Sequence, residues 1–300
     1  VILLVDATVG DYGECELRIN GGEKVLRVAG GRPLLATLNE QGIFIPSACG
    51  GRGSCGLCTI KIASGAGEPL PTELPWLKED QLRAGIRLSC QVKVRQDLEL
   101  EIPPEFFLVQ QFNAEVVSLL DLTHDIKQVR LRLLEPPEIE FRAGQFVQLL
   151  VPPYPLSDQE VYRAYSISSA PSERNCIELE IRLVPNGICT TWVHRYLKVG
   201  DRVVLTGPHG DFHLRDSDRE ILFIAGGSGM APVKSILLDM CEQRNSRRAT
   251  YYYGAVQRRD LFEVETMRRL ERELPDFTFI PALSQPDPAD DWSGENGRIT

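Results

Sequence analysis

Positive charge is in deficit in this 300-residue sequence: 33 lysines and arginines stand against 42 acidic residues, a formal net charge of -9. An acidic chain without a basic block repels nucleic acid and anionic lipid, which excludes both as main partners. Long apolar runs are missing as well. No stretch approaches the roughly 20 residues that a spanning helix needs, and no secretory signal is visible. The four histidines show no metal-ligand spacing, and His209 and His213 read as partly exposed loop residues without a role. Internal repeats and low-complexity tracts are absent. So is an initiator Met: the chain opens on the apolar run Val1 to Val5, readable as a first β-strand or as the tail of a removed membrane anchor.

What is present is ordinary globular composition, 43% hydrophobic and 25% charged, in a chain too long for one core. We expect three domains, at 14–104, 110–216 and 217–300. In the first, "CELRINGGEKVLRV" alternates apolar positions about a Gly21-Gly22 turn, a hairpin pattern. Pro33 then opens a helix whose Leu34, Leu35 and Leu38 share a face and which Gly42 stops. A second helix is expected near "WLKEDQLRAG", and Pro103-Pro104 marks a linker. From 113 to 206, six strand-like segments separated by Pro, Gly or Asp turns suggest a closed antiparallel barrel. After residue 220, strand, helix, strand, helix, strand implies a parallel α/β sheet.

The eight cysteines form one cluster plus isolated thiols, which fits a reducing compartment better than a disulfide framework. Cys49, Cys55 and Cys58 lie in "SACGGRGSCGLC", and Cys90 follows after 31 intervening residues in "RLSCQV". Four thiolates can hold zinc or a 2Fe-2S cluster. The loop glycines favour the cluster, because bridging sulfides accept backbone N–H bonds only where the chain wraps closely, and Gly permits positive φ. Zinc sites commonly use two Cys-x-x-Cys pairs, and this sequence has one.

Two further patterns concern phosphates. "NGICTTWVHRYL" places Gly187 three residues before Thr190 at a helix start, where free N–H groups and the helix dipole favour an anion. "ILFIAGGSGMAPVKSILLDM" reads as strand, Gly-rich turn and helix. Gly227, Ser228, Gly229 and Pro232 there stand close to the dinucleotide fingerprint, with Pro where a third Gly is common. Arg258, Arg259 and Asp260 follow the next strand together, so NADH and NADPH are not separated by the acid-or-arginine rule.

"RAYS" at 163–166, the Gly187/Thr190 helix start and "TGPHGDF" at 206–212, in that order, resemble the ferredoxin-NADP reductase superfamily. The resemblance implies that Arg163 pairs with the FAD pyrophosphate, that Tyr165 stacks on the isoalloxazine, and that Ser166 hydrogen-bonds near flavin N5. Tyr165 and Ser166 are thus the catalytic candidates. Gly187 and Thr190 would hold the pyrophosphate from the other side, with Gly207, where the barrel ends, a further cofactor-binding residue. The five-residue spacing between Cys49 and Cys55, with "LPTEL", "FRAGQFVQL", "GGSGMAP" and "DDWSGENG", is further similar to the F-subunit family of Na+-translocating NADH:quinone reductases. That resemblance implies a multi-domain α+β and α/β chain: a β-grasp ferredoxin domain, a flavin-binding β-barrel, and a Rossmann-like nucleotide domain incomplete at its C-terminus. It implies electron flow from NADH to FAD to the 2Fe-2S cluster and on to a membrane or redox partner subunit. The work would be done on the cytoplasmic side, with an anchor ahead of Val1. Two features depart from the family: a short connector before "RAYS", and His209 in place of an aromatic. A soluble oxygenase reductase and a non-catalytic redox sensor are the alternatives.

Overall fold

The computed structural model describes residues 12–299, so the readings of Val1 to Val5 lie outside the described residues. The chain divides into two compact units, one of residues 1–111 with 162–164 and the other of 112–161 with 165–300.

In the first unit, β1 (Glu14–Ile19) and β2 (Lys24–Ala29) form the expected antiparallel hairpin. Leu17 and Ile19 point into the core while Glu16 and Arg18 pair outside, the alternation that a half-buried strand requires. Helix α1 (Leu34–Glu40) buries Leu34, Leu35 and Leu38. It ends where Gly42 turns left-handed: Gly42 N–H donates to Asn39 O at 3.1 Å and Ile43 N–H to Leu38 O at 2.9 Å. This is a Schellman stop, sealed by buried Ile43 and Leu38. It delivers the chain into the cysteine loop. β3 (Thr59–Ser64), the short α2 (Glu79–Arg83), β4 (Ile86–Leu88) and β5 (Leu98–Glu101) complete the unit. The sheet order is β2-β1-β5-β3-β4, with β1 and β5 parallel. The expected linker is partly docked: Asn20 exchanges hydrogen bonds with both the N–H and C=O of Ile102, and Phe106 packs on this unit's core.

A six-stranded sheet follows, of β6 (Gln110–Asp121), β7 (Ile126–Glu135), β8 (Phe146–Val151), β9 (Val161–Ser166), β10 (Cys176–Arg182) and β11 (Arg202–His209), ordered β10-β7-β6-β11-β8-β9. The edges meet: Ile167 bridges Leu179, and Ser168 N–H donates to Glu178 O at 2.8 Å, which curls the sheet into the expected barrel. Val147, Leu149, Ile177, Leu179 and Ile181 fill its interior, and α3 (Ile188–Arg195) packs Val193 against them. Then β12 (Ile221–Gly226), α4 (Met230–Glu242), β13 (Ala249–Ala255), α5 (Val264–Glu273), β14 (Phe277–Leu283) and the two-residue β15 (Glu295–Asn296) form a parallel sheet in sequential order. Its core is built on Tyr251, Tyr253, Phe279, Ile236 and Leu270.

Candidate functional site

The cysteine loop needs backbone that only glycine adopts freely: Gly50, Gly51, Gly53 and Gly56 all have φ between +65° and +85°. The turns sort the four thiols into pairs. Cys49 hydrogen-bonds Cys55, and Cys58 hydrogen-bonds Cys90. Among the described residues no three His, Cys, Asp or Glu side chains converge on one point as a single metal ion would require. Two thiol pairs suit a cluster with two irons, each taking two thiolates. The donors agree. Burial opposes ionisation of Cys49, yet hydrogen bonds from the Ser54 and Arg52 backbone and from Cys55 bring it down to about 7. Cys90 is lowered to about 6, first by Cys58, then against burial by Gln91 and the Gly53 backbone. Its sulfur sits 3.3 Å from Gln91 Nε2. Cys58 goes the other way, raised by the bond to Cys90 and by burial. The donor set therefore fits a 2Fe-2S group.

Behind the loop, Glu73 and Arg87 are both buried. Arg87 also donates to Gly67 O at 2.7 Å, and Glu73 accepts from Leu70 N–H at 2.8 Å and Leu88 N–H at 3.0 Å. This staple fixes the segment before Cys90. Sequence reading missed it, although "PTEL" followed by "IRLSC" places both charges among apolar residues.

The flavin candidates Arg163, Tyr165 and Ser166 all lie on β9, whose six residues are all half-buried. Alternation puts Arg163 and Tyr165 on one face and Ser166 on the other. The Arg163 Nη1 donates to Tyr162 O at 2.8 Å. Tyr165 packs partly on the barrel core. Gly187 is the N-cap of α3, as expected. Thr190 does not aim outward: its buried hydroxyl accepts from Val184 N–H at 3.1 Å and folds back on its own loop. Gly207 has a packing reason, since a Cβ there would stand 2.8 Å from Val147 Cγ1. A half-buried guanidinium on β9 and, separately, a helix start capped by Gly187 are each chemistries suited to a diphosphate, so each fits FAD.

His209 requires a correction. It is not a partly exposed loop residue but 2% exposed at the end of β11. It stacks on Phe146 at 5.4 Å, with Nε2 at 3.1 Å from Thr206 Oγ1 and 3.2 Å from Gln148 Nε2. Its Nδ1 has no partner, and burial lowers its pKa to about 4.

A cavity of about 590 Å³ opens where β12, β13 and β14 end. Its walls include Gly226, Gly227, Gly254, Gln257, Ser284 and Gln285, with Asp125, Arg182, His124, Arg259, Asp260 and Arg298 supplying charge. Ligands of parallel sheets bind at the carboxyl ends of the strands, and this is such a place. Gly227 lines it. Ser228 and Gly229 form the 3-10 turn below, and Pro232 belongs to the first turn of α4. Arg258 turns away to Asp290 O at 2.6 Å. Asp260 accepts from Gln257 N–H at 2.8 Å and faces His124 at 3.5 Å, while Arg182 is paired with Asp125 at 2.7 Å.

Comparison with known proteins divides the chain in the same order. The "2Fe-2S iron-sulfur cluster binding domain" matches residues 17–95, the "Oxidoreductase FAD-binding domain" 113–214 and the "Oxidoreductase NAD-binding domain" 223–300. The F subunit of the Na+-translocating NADH-quinone reductase of Neisseria meningitidis is 37% identical over 335 aligned positions, covering all of this chain and 82% of its own length. Its Actinobacillus succinogenes counterpart is 36% identical over 336 positions, with the same coverage. These alignments are longer than the 300-residue chain, so the relatives carry extra residues inside the matched span. Among solved structures, the Amycolatopsis cytochrome P450 reductase GcoB superposes with TM-score 0.73 at 29% identity, covering 94% of this chain and 84% of its own. The ferredoxin reductase in carbazole 1,9a-dioxygenase gives 0.69 at 25%, covering 95% and 83%.

Proposed function

The chain belongs to the family of Na+-translocating NADH-quinone reductase F subunits, and from that premise we propose that it is the electron-input component of such a system. It would oxidise NADH and pass electrons through FAD and a 2Fe-2S cluster to a partner subunit. The bound cofactors would supply hydride acceptance and one-electron transfer; the protein supplies binding, orientation and exclusion of water. The observation that carries the reading is the presence, in one chain, of two pairs of thiols, three of the four in a glycine-rich loop, and a strand-end cavity floored by Gly226 and Gly227.

In this reading Cys49 with Cys55, and Cys58 with Cys90, each hold one iron. Arg163 neutralises the FAD diphosphate, with Gly187 and Thr190 shaping the helix start that faces it. Tyr165 covers the flavin ring and Ser166 donates toward its reacting nitrogen. Gly207 keeps β11 close to β8. Gly227, Ser228, Gly229 and Pro232 make the turn that receives the NADH pyrophosphate. We assign the domains as 14–104, 110–216 and 217–300, and place the protein on the cytoplasmic side, where NADH is. Among the described residues no helix is long and apolar enough to cross a membrane.

Anaerobic stopped-flow absorbance of the full chain, mixed with NADH and separately with NADPH, tests this. Flavin bleaching followed by cluster reduction is expected; flavin reduction that the cluster never follows overturns the relay. A second reading, an oxygenase reductase, draws on the likeness to the P450 and carbazole dioxygenase reductases. Turnover with an oxygenase partner but not with a quinone reductase complex would select it.

A further inference from the structure

Outward-facing residues of β10 alternate Glu178, Glu180 and Arg182, and all three turn toward the nucleotide-binding half. Arg182 lines the cavity, and its Nη1 stands 3.6 Å from where a Cβ of Gly227 would be. Glu180 lies two residues back, about 7 Å along the strand, and its side chain is fully enclosed. Neither carboxylate oxygen has a hydrogen-bond partner closer than the marginal 3.5 Å contact with Lys234. Its nearest cation is Lys234 of α4, at 3.5 Å.

Lys234 is shared. Its ammonium also faces Glu178 at 3.5 Å and contacts Glu263 at the start of α5, a residue held at φ +55°. Three carboxylates around one buried ammonium leave surplus negative charge. Arg130 of β7 relieves only Glu178, at 3.1 Å, and is itself tied to Glu173. From β13 the buried phenols of Tyr251 and Tyr253 act on Glu180, and Asp260 and Glu263 act on Tyr253 from beyond. Among the described residues Lys234 is the cation that acts on Glu180.

We propose that Glu180 is a proton-binding site linked to the nucleotide cavity: a pyrophosphate that enters beside Gly227 draws a proton onto Glu180, and that proton in turn tightens nucleotide binding. The proposal rests on reading the cavity as the dinucleotide site and adds to it a residue outside the fingerprint. Enclosure, helped by Glu263 and Glu178 and opposed by Lys234, raises the carboxyl to about 8. Further negative charge nearby moves it higher, so proton uptake on binding is largest at and above pH 8 and small near pH 7, where Glu180 is already protonated. By linkage the nucleotide must then bind more weakly as pH rises through 8.

Titration calorimetry of the full chain with ADP-ribose, a redox-silent probe, in two buffers of different ionisation enthalpy at pH 7, 8 and 9 tests this. We expect uptake of a fraction of a proton at pH 8 and affinity falling about twofold to fivefold from pH 7 to 9, which corresponds to a shift of half to one pKa unit from a value of about 8. Glu180→Gln keeps the shape and should abolish both, whereas His124→Asn, which removes the cavity's own imidazole, should keep them. Binding without proton uptake, or uptake lost in His124→Asn and kept in Glu180→Gln, overturns the proposal while leaving the cavity assignment intact. No ADP-ribose binding at any pH overturns the cavity assignment and the proposal with it.

Discussion

Arg87 and Glu73 meet out of reach of solvent through two nearly parallel hydrogen bonds, Nε to Oε1 at 2.9 Å and Nη2 to Oε2 at 2.6 Å. Removing one partner of such a pair strands the other, at a cost of about 3–5 kcal/mol. Glu73→Ala should therefore lower the urea midpoint of the full chain, followed by the visible circular dichroism of the cluster. The sign of the pH dependence follows from the hydrogen bonds of Arg87, Leu70 and Leu88, which outweigh burial and depress the carboxyl. The stabilisation is complete above the ordinary carboxylate range and lost as pH falls through the depressed value. A midpoint unchanged by the substitution would refute this account of the staple.

Gly56 sits at φ +68° with the Trp76 ring 2.9 Å from where a Cβ would be. A left-handed non-glycine residue costs about 1–2 kcal/mol, and here the ring must move as well. Gly56→Ala should lower iron content per chain and melt earlier. Full iron loading with an unchanged melt would show that the loop tolerates a Cβ.

Thiols paired as Cys49 with Cys55 and Cys58 with Cys90 call for iron and acid-labile sulfide in equal amounts. Serine at Cys49 or at Cys90 should lose both while NADH still bleaches the flavin, and transfer to a one-electron acceptor should stop. Metal analysis returning one zinc and no sulfide would replace the cluster with a structural site.

Much of this was legible because it is local. Leu17 and Ile19 announce β1 by alternation, Leu34, Leu35 and Leu38 announce α1 by helical spacing, and the cysteine spacing announces its own metal chemistry. What stayed hidden depends on partners distant in the chain. Lys234 meets Glu178 across 56 positions, and a lysine inside "APVKSILL" carries no sign of the carboxylates awaiting it. His209 read as loop because it follows Gly207-Pro208; its burial is decided by Phe146 and Gln148 on another strand.

Arg163 lies mid-strand on β9 and half-buried, placed to offer a guanidinium without being sealed in the core. Hydrogen bonds to a charged group are worth about 1.5–3 kcal/mol, so Arg163→Ala should weaken FAD about tenfold to a hundredfold. The flavin-to-protein absorbance ratio after gel filtration reports it. Full flavin retention would remove Arg163 from the diphosphate site.

The buried imidazole of His209 makes the last prediction one of slope. Its pKa of about 4 in the fold lies below the ordinary histidine value of about 6.5. Between those values the unfolded chain binds a proton that the folded chain refuses, so stability is full above pH 6.5 and falls as pH drops toward 4. The loss approaches about 3 kcal/mol if the whole gap is realised. His209→Phe keeps the stack on Phe146 but leaves Thr206 and Gln148 without the ring nitrogen, so its stability at pH 7 should fall modestly. Its decline from pH 6.5 to 4 should nevertheless be shallower than that of the parent chain. Urea titrations of both proteins across that range compare the slopes directly, and parallel curves would mean that the imidazole takes up its proton in the fold as readily as in the unfolded chain.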